Sequence, residues 1–518
     1  MEQSDTNLNT RDTMYGRTPL FWAAENGHEE VVKVLLERND VNIETSDEYG
    51  RTPLSVAVAN GHEGVVKILV ERCKANLNTA DDVYGRTPLS WAARIGDMGI
   101  VEMLLELDDV DPNITDTHGR TPLALAVENG NEEVVNLLLQ RNCVNPNTAD
   151  RENRTPFSHA AENGYEEIVR MLVEDANTDL NIAGSMGGQT PLAWAARKGH
   201  SEVVRLLLGC DEIDPDPVDN CGRTPLRMAA EGGHEEVVKM LLEWNEVNPD
   251  TADRNKETPL SVATLGGHEG VVRMLLERND VNPGMASTGG STPLSLAIQW
   301  RHDGIARRLL ERNDINANIP DTDFGRTPLL WAAWTMSAGL VKILLERNEV
   351  DPETADRSGQ TPLCLAALNG DEDTVRLLLE LGCVNPNMAG NKDQTPLFQA
   401  AKEGEDGVVK ILLGRDDVDP NKPREDGQTP LLYAVRKGNQ AVVRMLLERH
   451  DLNLDTTDNF GRTPASWAAE NKDDEIAKLL SDRAESASRY ETSREPGPPC
   501  SPELSEVSEP PSKRLRRF

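Results

Sequence analysis

The stretch His28-Glu29-Glu30-Val31-Val32 and its near copy His62-Glu63-Gly64-Val65-Val66 set an imidazole beside carboxylates, residue types that hold zinc and move protons. A helical zinc-protease pair needs a second His four residues after the first, so that both nitrogens share one face. Val32 and Val66 stand there instead. The same slot holds His200, His234, His268 and His302 further on, but Asp97, Asn131, Tyr165 and Asp371 elsewhere. A metal ligand does not vary so freely, whereas a residue that merely begins a helix can. The chain also lacks a Gly-rich phosphate loop ending in Lys-Ser/Thr and a GxSxG nucleophile elbow. Its seven cysteines contain no CxxC pair, which argues against a zinc framework or a disulfide scaffold and for free thiols in a reducing compartment. No catalytic residue, metal or cofactor is expected.

The elements that carry these residues follow a period. Thr-Pro recurs fourteen times, from Thr18-Pro19 to Thr463-Pro464, always 34 or 35 residues apart. Such regularity means an array in which each unit contacts mainly its neighbours. In the first unit Thr18 is placed to cap a helix and Pro19 to start it without losing a hydrogen bond. Leu20, Trp22, Ala23 and Ala24 form a short helix that Asn26-Gly27 ends. His28-Glu29-Glu30 opens a second helix, with carboxylates at its positive end and Val31, Val32, Leu35 and Leu36 along a broad apolar stripe. A polar excursion then leads to the next Thr-Pro.

The recurring skeleton D-x-x-G-R-T-P-L-x-x-A-A-x-x-G-H-x-x-V-V-x-x-L-L resembles the ankyrin repeat over residues 13–483. That resemblance implies an all-α array of fourteen helix-turn-helix units with protruding finger loops, which binds other proteins on its concave face. The His usual after Thr-Pro-Leu in that family is absent, and Ser55, Ser90, Ser158, Ser261 and Ser295 often stand there. Residues 1–12 match an inter-repeat segment, so the chain begins mid-period. Residues 484–518 shift to Pro, Ser and Glu, a composition that cannot bury enough apolar surface to fold. Their end, Lys513, Arg514, Arg516 and Arg517, resembles a nuclear import signal.

With 54 basic and 88 acidic residues the net charge is −34, so nucleic acid is a poor partner. No apolar run is long enough to span a bilayer. The expected setting is the cytoplasm or nucleus, and the expected state a monomer. Function in such an array lies in slots that depart from the period. Four residues before the Thr-Pro proline, repeats one to four carry Tyr15, Tyr49, Tyr84 and His118, each followed by Arg17, Arg51, Arg86 or Arg120. Tyr and Arg dominate binding hot spots. At the end of the first helix, where most repeats are polar, Leu265, Trp300, Trp334 and Leu368 form an apolar row. Both sets are candidate contacts for a partner whose segment is basic at its rim and apolar at its centre, helical or extended. A second reading makes the array the recognition arm of a larger signalling protein or enzyme.

Overall fold

The computed structural model describes residues 7–73, 75–184, 187–382 and 384–492. Among these residues there are twenty-eight α-helices, two per repeat, and no strand. The chain divides into two compact units, Met1–Asp351 with ten repeats and Pro352–Phe518 with four.

Each first helix begins as its composition dictates. All fourteen Thr hydroxyls accept a backbone N–H three residues on, as Thr18 does from Phe21 at 3.2 Å. Proline follows at the first helical position, where a missing N–H costs nothing. The serines that replace the family's His extend this cap. Ser55 and Ser295 accept the N–H of Thr52 and Thr292 at 2.8 Å, which closes a reciprocal box at each helix start. The short helices are almost wholly buried: Pro122–Glu128 covers every residue but its last. Small Ala side chains let the first helices of adjacent repeats approach closely within each unit.

The second helices bury a narrower stripe. Val271, Val272 and Leu275 are fully covered, while Arg273 between them faces water. In repeat one the expected stripe is only partly covered, since Val31 is exposed where later repeats meet a preceding helix, and Leu35 and Leu36 are half-buried. The final helix, Asp474–Thr492, runs beyond residue 484, where the composition led us to expect the tail to begin. Its early turns are held by Ile476 and Leu480 against the last repeat. The basic cluster Lys513, Arg514, Arg516 and Arg517 lies outside the described residues.

Candidate functional site

The fingers are turns built on one aspartate. Asp47 Oδ1 accepts the N–H groups of Tyr49 and Arg51 at 3.0 Å, and Asp47 N–H donates to the Arg51 carbonyl at 3.0 Å. Successive fingers are tied by one backbone bond each. The carbonyl of Tyr15 accepts from Glu48, that of Tyr49 from Asp82, and that of Tyr84 from Thr117 at 2.7–3.0 Å. The aromatic slot therefore serves the frame through its backbone. Cys221 and Asn255 do the same work with other side chains, accepting from Arg254 and Thr288.

The predicted arginines are committed inside the array. Arg17 lies 4.6 Å from the rings of both Tyr15 and Trp22 and 2.8 Å from Glu25. Arg51 donates to Asp47. Arg120 pairs with Asp116 at 2.8 Å and Glu128 at 2.9 Å. Burial alone would raise the Asp116 carboxyl, yet Arg120 and the N–H groups of Arg120 and His118 hold it below its ordinary value. Arg86 is buried between Tyr84 and Trp91, and desolvation with neighbouring Arg94 and Arg120 pulls its pKa down. What remains outward is the tyrosine edges: Tyr49 is 42% and Tyr84 43% exposed.

The sequence reading missed that the fingers come in two lengths. The turns Asp12 to Arg17, Asp81 to Arg86, Gly184 to Gln189 and Asp321 to Arg326 close over five residues rather than four. The extra residue accounts for each 35-residue spacing. In the long fingers of Asp12 and Asp81 the arginine keeps its backbone N–H on its own aspartate but turns its guanidinium to the next repeat's Asp47 or Asp116. In all three long fingers that begin with Asp, a tryptophan bonds the aspartate. Trp22, Trp91 and Trp331 donate Nε1–H to Asp12, Asp81 and Asp321 at 3.1, 2.9 and 2.8 Å. A signal was present in the 35-residue spacings. The Trp three residues after Pro19, Pro88, Pro191 and Pro328 is less specific, because Trp467 stands likewise after Pro464, donates to Asp458 at 3.4 Å and follows a finger of four residues. The aromatic slot also recurs beyond repeat four, with Phe324 and Phe460 stacked on Arg326 and Arg462 at 5.2 and 4.9 Å.

The apolar row needs a correction. Leu265 and Trp334 are the last residues of their helices, but Trp300 is the residue after Pro293–Gln299. The long finger before Pro328 shifts the register by one, so Gln299 holds the slot equivalent to Leu265 and Trp334. Trp300 is the more open ring at 57% exposure, whereas Trp334 lies 4.5 Å from the Arg326 guanidinium. Arg301 and Met336 occupy the left-handed turn that glycine fills in most repeats, with φ of 61° and 57°. Leu368 lies partly buried in the second unit, at the end of Pro362–Leu368.

The histidines that begin the second helices after the first repeat are joints. His62, His200, His234 and His268 place Nε2 within 2.9–3.1 Å of a carbonyl at the end of the preceding repeat's first helix. A carbonyl only accepts, so each ring donates. Asn131 donates to the carbonyls of Ala93 and Arg94 in the same way, which explains why the slot tolerates other residues. No group of three or more His, Cys, Asp and Glu residues placed to hold a metal occurs among the described residues. Within those residues no helix is long and apolar enough to cross a membrane.

A family model described as ankyrin repeats (3 copies) matches the chain in overlapping stretches from residue 2 to residue 489: 2–81, 73–150, 142–219, 212–287, 278–356, 329–424 and 398–489. No curated protein matches it.

Proposed function

Because this chain belongs to the ankyrin-repeat family, whose arrays generally bind other proteins, we propose that it is a binding scaffold without catalysis of its own. The carrying observation is the division of labour among its polar groups. Asp, Thr, His and Arg side chains that recur with the period are bonded within the array, while Tyr49, Tyr84, Leu265 and Trp300 break the period and stay exposed. In this reading the partner meets the finger tips and the ends of the first helices, the face that is concave in the family. The surrounding charge of −34 favours a partner with a basic rim, since complementary charge speeds encounter and rejects wrong ligands. The array acts as a monomer in the cytoplasm or nucleus, and Lys513, Arg514, Arg516 and Arg517 are its import signal.

Capture with the intact chain tests the scaffold. A defined set of bound proteins should be retained, and should fall away when Tyr49, Tyr84, Leu265 and Trp300 are all changed to Ser in a chain whose circular dichroism is unchanged. Retention by the substituted chain would move the partner site elsewhere. For the tail, a reporter fused to residues 485–518 should collect in the nucleus and return to the cytoplasm with Arg514→Ala and Arg516→Ala. A reporter that stays cytoplasmic from the start would dismiss the signal.

A further inference from the structure

A cleft of about 260 Å³ opens between the fingers of repeats two and three, lined by Tyr49, Arg51, Asp81, Val83, Tyr84 and Trp91. Three of these six are aromatic, and Tyr84 meets Trp91 edge to face at 5.9 Å, so the wall is preformed. Val83 on its rim is 49% exposed although its only polar tie is a backbone N–H to Asp81. The charged lining groups are already satisfied: Arg51 by Asp47, and Asp81 by Trp91 Nε1 and the N–H groups of Val83 and Tyr84. The floor is thus an aromatic trough that offers little to an incoming charge. Its neighbours Glu48 and Asp82 are exposed carboxylates that form no ion pair among the described residues. Two further clefts differ from it: one of about 190 Å³ between the fingers of repeats four and five is lined by His118 and charged residues, and one of about 210 Å³ between those of five and six has Trp194 as its single aromatic wall.

We propose that the cleft between the fingers of repeats two and three binds a proline-rich segment of a partner protein in the polyproline II conformation, with its basic flank against Glu48 and Asp82. The proposal rests on the scaffold reading and names the partner's chemistry. Three arguments converge on this occupant. Tyr and Trp troughs take the flat, low-entropy face of proline without asking for a charge. A polyproline II turn advances three residues in roughly 9 Å, close to the ~8–10 Å between packed helices of adjacent repeats. Two residues three apart in the segment therefore meet the fingers of Tyr49 and Tyr84 in turn. Finally, the exposed acids beside an apolar trough select Arg or Lys next to the prolines, as the net charge of −34 would from a distance.

The test is selection of a phage-displayed library of random dodecapeptides on the full-length chain. The enriched peptides should carry prolines three residues apart with flanking Arg or Lys. A synthetic copy of the strongest should quench tryptophan fluorescence and lose about tenfold or more in affinity on Tyr84→Ser, the scale of a hot-spot residue. Since Tyr84 also packs against Trp91, Val83→Lys provides a second variant that fills and charges the rim without touching the stack. It should weaken the same peptide to a similar degree at unchanged circular dichroism. Enriched peptides that lack prolines, or that bind the Val83→Lys chain undiminished, would overturn the proposal while leaving the scaffold reading intact. Failure to enrich any peptide would count against both. A peptide of residues 509–518 that outcompetes every selected sequence would replace the partner with a second copy of this chain.

Discussion

At the scale of single residues, most polar side chains in this protein are ladder rungs. Asn113 shows the rule: its Nδ2 donates to the Cys143 carbonyl at 2.7 Å and its Oδ1 accepts from Asn145 N–H at 2.8 Å, stitching one repeat to the next. Asn147, Asn387 and Asn421 repeat both bonds. Asp216 takes the same place with a carboxylate, accepts from Asn248 N–H at 3.1 Å, and leaves a buried Oδ1 with no partner. In the Asn113, Asn147, Asn387 and Asn421 rungs the side-chain amide also donates to a carbonyl of the next repeat, which a carboxylate cannot do. Burial, reinforced by Asp214 and opposed by Asn248 N–H, pushes the Asp216 carboxyl from near 3.8 up to about 6. A folded pKa above the unfolded one means that the folded state holds the proton more tightly. The stability linked to protonation is therefore complete below about 3.8 and is lost as pH rises through about 6. Asp216→Asn should supply the missing donor and stabilise the junction of repeats six and seven by about 1–2 kcal/mol at pH 7.5. Its advantage should shrink steadily towards pH 4, as followed by urea unfolding. An advantage independent of pH would remove the carboxylate from this account. None of this was visible in the sequence, where Asp and Asn look interchangeable in a polar loop; the difference appears only once the rung and its two partners are in place.

At the scale of helices and fingers, the sequence was most informative. Thr-Pro marked every first helix correctly, because a hydroxyl cap and a proline start are local chemistry that no tertiary contact overrides. The apolar stripe of the second helix was read too broadly in the first repeat, where Val32 alone is fully buried. The register of the Trp300 and Trp334 row was misread, because one residue inserted in the finger Asp321 to Arg326 shifts the following helix without disturbing its cap. Trp300 and Phe324 also show why the candidate slots were harder to see: exposure depends on where a helix ends, and spacing alone does not report it. Another feature hidden from composition is the arginine clasp closing the second helices. Arg278 and Arg312 each donate to the end of the preceding second helix, at the carbonyls of Leu242 and Leu276, while gripping Asp280 and Asp314. Since repeats are joined only to neighbours in this way, damage should stay local. Leu275→Ala, at a fully buried position, should cost ~2–5 kcal/mol in repeats seven to nine. Hydrogen exchange should lose protection there and keep it in repeats one to four. Uniform loss over all fourteen repeats would show a single cooperative unit instead.

At the scale of the whole molecule, periodic residues hold the frame, and we propose that the exposed exceptions bind. Net charge bears on this level too, since a surface of −34 repels itself and invites basic partners over the whole array. Salt should slow association far more than it speeds release, because steering acts on encounter. The most direct measurement is hydrogen exchange of the full chain alone and saturated with its captured partner. The account predicts added protection in finger and first-helix-end peptides of a run of adjacent repeats, such as those spanning residues 47–51 and 81–86. The second helices of those repeats, including Met98–Leu105, should exchange as before. Protection centred on the second helices, with the fingers unchanged, would contradict it.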